Sequence, residues 1–176
     1  MRYLIRLEDD AALDPDLVGH KFASLARMNQ AGMRVPPAVA LSVEAHRRFL
    51  DGKQWPAGLL EEVWAEAAGL EITRGLAVRS SATVEDLEGG SFAGQYRTFL
   101  NVRSRSELQD KIEHCWASAE SIAQSYSTRF AQGDGADRQK NLMAVVLQKM
   151  VPAKTAGVAF SRNPMYPSRR EVVIEA

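Results

Sequence analysis

Residues 75–102 read GLAVRSSATVEDLEGGSFAGQYRTFLNV. Leu76-Ala77-Val78 is a short apolar run of the kind that forms a buried strand, yet it leads directly into Arg79, Ser80 and Ser81. A charged patch and a glycine-bearing segment, EGGSFAGQ at 88–95, come next, and a second strand-like stretch occupies 96–102. Pairing of 76–79 with 96–102 as a hairpin would set Arg79 at the end of a core strand, near a loop with few side chains to pack. The question is what a guanidinium does there.

Two answers differ in chemistry. A strand-end arginine can extend to solvent or pair with Glu85 or Asp86. Alternatively it captures an anion: the guanidinium fork offers five donors, keeps its charge and matches phosphate oxygens. Each charge-assisted hydrogen bond contributes about 1.5–3 kcal/mol. Ser80 and Ser81 would add hydroxyl and backbone donors beside it. Gly89, Gly90 and Gly94 remove side chains, so that backbone N–H groups could approach a phosphate. Glycine loops are also ordinary turns. The GxxxxGK[ST] loop and the GxGxxG fingerprint are both absent from the sequence, which argues against the two commonest nucleotide folds.

Working outward, residues 2–7 read as a short strand. Leu17, Lys21, Leu25 and Met28 recur at helical spacing, with Gly32 as the stop. Pro36 and Pro37 force RVPPAVAL at 34–41 to be extended. Ser42 fits as N-cap of a helix over 42–50, with Glu44 in its first turn. Leu59, Leu60, Val63, Trp64 and Ala67 mark another helix, ending near Gly69. Ser104 and Glu107 have the form of a capping box. They open a pattern of Leu108, Ile112, Trp116, Ala119, Ile122, Tyr126 and Phe130, read as one long core-facing helix or two joined near Ser118. QGDGADRQKN at 132–141 reads as a polar loop. LMAVVLQKMV at 142–151 and AGVAFSRNP at 156–164 are two β-rich runs whose short connection favours an antiparallel pair. REVVIEA at 170–176 begins a further strand, so a fragment of a longer protein is the expectation.

Composition narrows the class. The 176 residues suit one domain with a hydrophobic core; 45% are hydrophobic and 25% charged, ordinary values for a globular protein. Lys+Arg and Asp+Glu are both 22, so no global field favours nucleic acid or an anionic membrane. No apolar run approaches the roughly 20 residues of a membrane helix. With one cysteine, Cys115, an internal disulfide is impossible, and a cytoplasmic location is expected. Of the three histidines, His46 reads as surface, while His114 and Cys115, being adjacent, face different ways on a helix. No metal-ligand spacing emerges. Lys21, in VGHKFASL at 18–25, stands just after a glycine at a helix start; it is either a solvated lysine or a point charge beside an anion-favouring helix N-terminus.

Together, VGHKFASLARMNQAGMRVPPAVALS, AVRSSATVEDLEGGSFAGQYRTFLNV and VVLQKMVPAKTAGVAFSRNP closely resemble the N-terminal nucleotide-binding region of the phosphoenolpyruvate synthase and pyruvate phosphate dikinase family, a region shared with rifampicin phosphotransferases. The likeness runs from about Asp16 to Ala176, and the order and spacing of RSSA, EDL and SFAGQ carry its specificity. It implies an α+β, ATP-grasp-type nucleotide-binding lobe with a mixed or antiparallel sheet and packed helices, residues 1–176 forming one truncated N-terminal region. It also implies transfer of a phosphoryl group from ATP to a histidine on a separate swivelling domain, with pyruvate the expected final acceptor. By the resemblance, Lys21 and Arg79 hold ATP phosphates and Ser91, Gly94 and Gln95 belong to the phosphate-covering loop. Thr98 follows close behind that loop, and the backbone of Gln148, Lys149, Met150 and Val151 meets adenine. Mg²⁺ ligands are expected beyond residue 176, and the isolated chain is expected to be inactive. His20 departs from the pattern, since the family usually has a second glycine there. Three other readings stay open: a fragment of a rifampicin phosphotransferase-like enzyme, a non-catalytic nucleotide- or partner-binding module, and a structural remnant in which Arg79 is salt-bridged and binds no nucleotide.

Overall fold

The computed structural model describes residues 2–83, 97–129 and 142–176, with side chains described outside 120–129. Strand β1 (Leu4–Arg6) leads through a 3-10 turn to helix α1 (Pro15–Gln30). Asp14 caps α1 by accepting from the Asp16 N–H at 2.9 Å, and Pro15 sits at the first helical position, where its missing N–H costs nothing. Gly32, at φ 77°, follows the helix end. Strand β2 (Ala38–Leu41), helix α2 (Val43–Gly52) and helix α3 (Leu59–Gly69) come next. Then follow strand β3 (Leu76–Ala82), strand β4 (Thr98–Val102), helix α4 (Arg105–Arg129) and strand β5 (Met143–Lys149). A short ribbon of β6 (Val158–Phe160) and β7 (Val173–Glu175) closes the chain.

Five strands form one antiparallel sheet in the order β1-β2-β5-β3-β4. Side chains alternate across it, and each face has its own cover. Ala38, Ala40 and Val146 pack against Val18, Phe22, Ala23 and Ala26 of α1. From the opposite face, Val39, Leu41, Leu76, Val78, Val145 and Leu147 join Val63 of α3 with Leu108, Ile112 and Trp116 of α4. Strand β5 lies in the middle, buried on both faces, which is why residues 142–147 read as a continuous apolar run.

The α4 capping box is present as expected: the Glu107 N–H donates to Ser104 Oγ at 3.3 Å, and Glu107 Oε2 accepts from the Ser104 N–H at 3.2 Å. The helix continues unbroken through Ser118 to Arg129. The loop expected at 132–141 lies outside the described residues, as do the side chains of Ile122, Tyr126 and Phe130. Three expectations are corrected. The run at 142–151 does not pair with the one at 156–164; β5 sits between β2 and β3, and β6 pairs with β7. A four-residue connection favoured a hairpin, but long-range pairing with two better-matched apolar strands won. Arg79 is not at a strand end, because β3 continues through Ala82. His46 is not on the surface: it is 1% exposed, stacks on Trp116 with ring centroids 5.4 Å apart, and accepts from the Met143 N–H at Nδ1. Cys115 is a core residue as expected, and burial pushes its thiol up to about 12.

A candidate nucleotide site on the α1 face of the sheet

Antiparallel register decides which polar side chains meet. Ala77 lies opposite Gln148 and Arg79 opposite Val146, so Arg79 and Gln148 share the face covered by α1. They touch: Arg79 Nη1 donates to Gln148 Oε1 at 3.0 Å. The Gln148 amide donates in turn to the Pro36 carbonyl at 3.4 Å, which fixes its orientation. Gln148 is buried and Arg79 half-buried. Among the described residues no carboxylate pairs with Arg79. Its described contact is a neutral amide, and a guanidinium in a half-desolvated place is one where an anion gains more than it would in open water. The residues present therefore fit a phosphate-bearing ligand.

The neighbouring serines separate by the same alternation. Ser80 faces away and donates its hydroxyl to the Arg97 carbonyl at 3.0 Å, so it does not join Arg79. Ser81, fully buried on the Arg79 face, accepts from the Phe22 N–H at 3.2 Å. That contact fastens α1 beside Arg79, and Gly19 makes it possible. Inside the helical span Gly19 has φ 74° and ψ 161°, a conformation open essentially to glycine alone. A Cβ there would lie 2.3 Å from both the carbonyl oxygen and the hydroxyl of Ser81. Lys21, half-buried, follows two residues later on the segment so held, while His20 is exposed.

The other expected residues are placed as follows. Thr98 lies opposite Arg79 on β4 and is exposed. Lys149 sends its ammonium to Glu71, away from Gln148, and its N–H to the Pro37 carbonyl at 2.9 Å. This ion pair, with the hydrogen bond from Lys149 foremost, holds the Glu71 carboxyl below its usual range. Met150 is half-buried and Val151 is exposed where the chain leaves the sheet, the Val151 carbonyl accepting from the Ala153 N–H at 2.8 Å. Ser91, Gly94 and Gln95 lie outside the described residues. Sequence reasoning missed the Gly19–Ser81 contact and the Pro36 carbonyl; a glycine interrupting an otherwise good helical pattern was the available signal for the first.

An α+β unit with an antiparallel sheet, carrying a positively charged fork on its helix-covered face, is the class of protein these features define. The family described as "Pyruvate phosphate dikinase, AMP/ATP-binding domain" matches residues 52–176, and the chain belongs to that family. Arg79 and Gln148 fall within the match, whereas Lys21 precedes it. Among curated relatives, the prodigiosin synthesizing transferase PigC of Serratia marcescens is 35% identical, the alignment covering 98% of this chain and 21% of the relative. The phosphoenolpyruvate synthase of Aeropyrum pernix is 34% identical over 91% of this chain and 24% of its own length. A probable phosphoenolpyruvate synthase of Staphylothermus marinus is 32% identical, with 99% and 26% covered. The chain thus spans about a fifth to a quarter of these relatives.

Proposed function

We propose that residues 1–176 are the N-terminal, ATP-grasp-type part of a dikinase-like phosphotransferase, and that ATP binds on the α1 face of the sheet. In this reading Lys21 and Arg79 hold the phosphates, residues 91–95 with Ser91, Gly94 and Gln95 cover them, and Thr98 stands behind that cover. The backbone of residues 148–151 receives the adenine, with the half-buried Met150 side chain as apolar flank. The observation that carries the reading is the Arg79–Gln148 hydrogen bond, which joins the expected phosphate and adenine segments across two adjacent strands. ATP supplies the phosphoryl group; the chain's own residues neutralise and position it. Transfer of this kind depends mainly on fixed positive charge and alignment.

The receiving histidine, on a swivelling domain, and the acceptor, with pyruvate favoured by the relatives' printed names, belong to other parts of the parent polypeptide. The Mg²⁺ ligands are assigned in this reading to the parent polypeptide as well. A cytoplasmic setting agrees with this assignment, and among the described residues no helix is long and apolar enough to cross a membrane.

Calorimetric titration of ATP into the chain and into Arg79→Ala tests the proposal. Loss of one or two charge-assisted hydrogen bonds should weaken binding by about 10- to 100-fold, while the fold survives because Arg79 is only half-buried. Equal, negligible heats from both proteins would leave Arg79 a structural residue and end the proposal.

A further inference from the structure

Gly19 and Ser81 have no part in the assignment above, yet they make the most demanding contact on the α1 face. The helical ladder is interrupted at Gly19, and three residues later the Phe22 N–H turns to the Ser81 hydroxyl, a strand side chain 59 positions away in sequence. Both partners are fully buried. The approach is so close that any side chain at 19 would overlap the Ser81 backbone. Ser81 is also two residues from Arg79 on β3, hence on the same face. Lys21 is one of the two residues between the break at Gly19 and the hydrogen-bonded Phe22.

We infer that Ser81, seated against Gly19, is a positioning residue that locks the Lys21 turn of α1 to the strand bearing Arg79, so that the two cations meet a nucleotide polyphosphate as one rigid unit. The physical reason is entropic and geometric. A lysine has a flexible stem with many rotamers; a backbone anchor next to it reduces the conformations from which it must be gathered on binding. A serine hydroxyl suits the anchor because it can accept from the N–H released by the helix break, a group that would otherwise be buried unsatisfied. Alanine at 81 removes only that acceptor and leaves Arg79 and Lys21 in the chain.

The inference rests on the nucleotide assignment, and a double-mutant cycle separates the two. ATP affinity is measured by titration calorimetry for the wild-type chain, Ser81→Ala, Lys21→Ala and the double variant, each checked for folding by circular dichroism well below its melting temperature. Ser81→Ala should weaken ATP about tenfold in the wild-type background and less than about twofold when Lys21 is already alanine, because coupled residues are non-additive. Hydrogen exchange at the Phe22 amide should quicken in Ser81→Ala without nucleotide, since its acceptor is gone. If Ser81→Ala does not fold, Ser81→Cys, similar in size but a poor acceptor, replaces it in the cycle. Equal losses in the two backgrounds would make Ser81 a purely structural residue and overturn the coupling while the nucleotide assignment stands. No loss from Ser81→Ala would do the same. No ATP binding by the wild-type chain would overturn both.

Discussion

A single backbone angle bears much of the weight at the residue scale. Gly19 adopts φ 74° and ψ 161° against the Ser81 carbonyl, so alanine there meets two penalties at once. Forcing an L-residue into that region costs about 1–3 kcal/mol, and overpacking a filled interior adds about 1–3 kcal/mol. Gly19→Ala should therefore lose about 2–6 kcal/mol in urea denaturation, with α1 displaced from β3; a loss below about 1 kcal/mol would mean that the strand yields easily. His20, by contrast, is exposed, so the imidazole that stands where the resemblance expects a second glycine does not crowd the sheet. Arg79 was legible as a candidate anion ligand in residue type and neighbourhood. Its partner was not: Gln148 is 69 positions away, and only the pairing of β3 with β5 brings them to 3.0 Å.

Local signals and long-range pairing part company at the element scale. The start of α4 was readable because a capping box is a bond set closed within four residues. Ser104→Ala should cost about 1 kcal/mol, measured by thermal or chemical unfolding. The reciprocal Glu107 carboxyl is held below its usual range, first by the Arg103 N–H and then by the Ser104 N–H and hydroxyl. A lowered folded value means that this contribution is present above the ordinary glutamate pKa near 4.3 and is lost as pH falls through the folded value. The stability difference between wild type and Glu107→Gln should accordingly shrink in acid; a constant difference down to the acid transition would remove the Glu107 carboxylate from the cap. The partner of β5 was misread for the opposite reason. Loop length favoured the strand next in sequence, whereas an all-apolar strand is stabilised most where both of its faces are covered, and that place lies between β2 and β3. His46 was misread likewise, since an amphipathic pattern does not foresee that a polar ring can be buried while it stacks on Trp116 and accepts from the Met143 N–H at Nδ1.

At the scale of the whole molecule, the chain offers a charged, helix-covered sheet face while its relatives are about four to five times longer. Binding and turnover should therefore dissociate: the isolated chain should show no steady-state ATP hydrolysis and no phosphoenolpyruvate formation above a blank, even at ATP concentrations that saturate it in calorimetry. A measurable rate that Arg79→Ala abolishes would show that the described sheet and helices are sufficient for chemistry. What the sequence determined by itself was whatever closes locally or is carried by an unbroken motif: the helices, the capping box of α4, the strands, the family, and the identity of Lys21, Arg79 and Gln148 as candidates. Tertiary structure decided strand order, the continuation of β3 past Arg79, the burial of His46, and the seating of the Ser81 hydroxyl on the Phe22 N–H. The reason is physical. Helix caps and apolar periodicity depend on neighbours within a turn or two, but which face a strand side chain occupies, and what it meets there, is fixed only when residues 60 to 70 positions apart compete to bury the same surface.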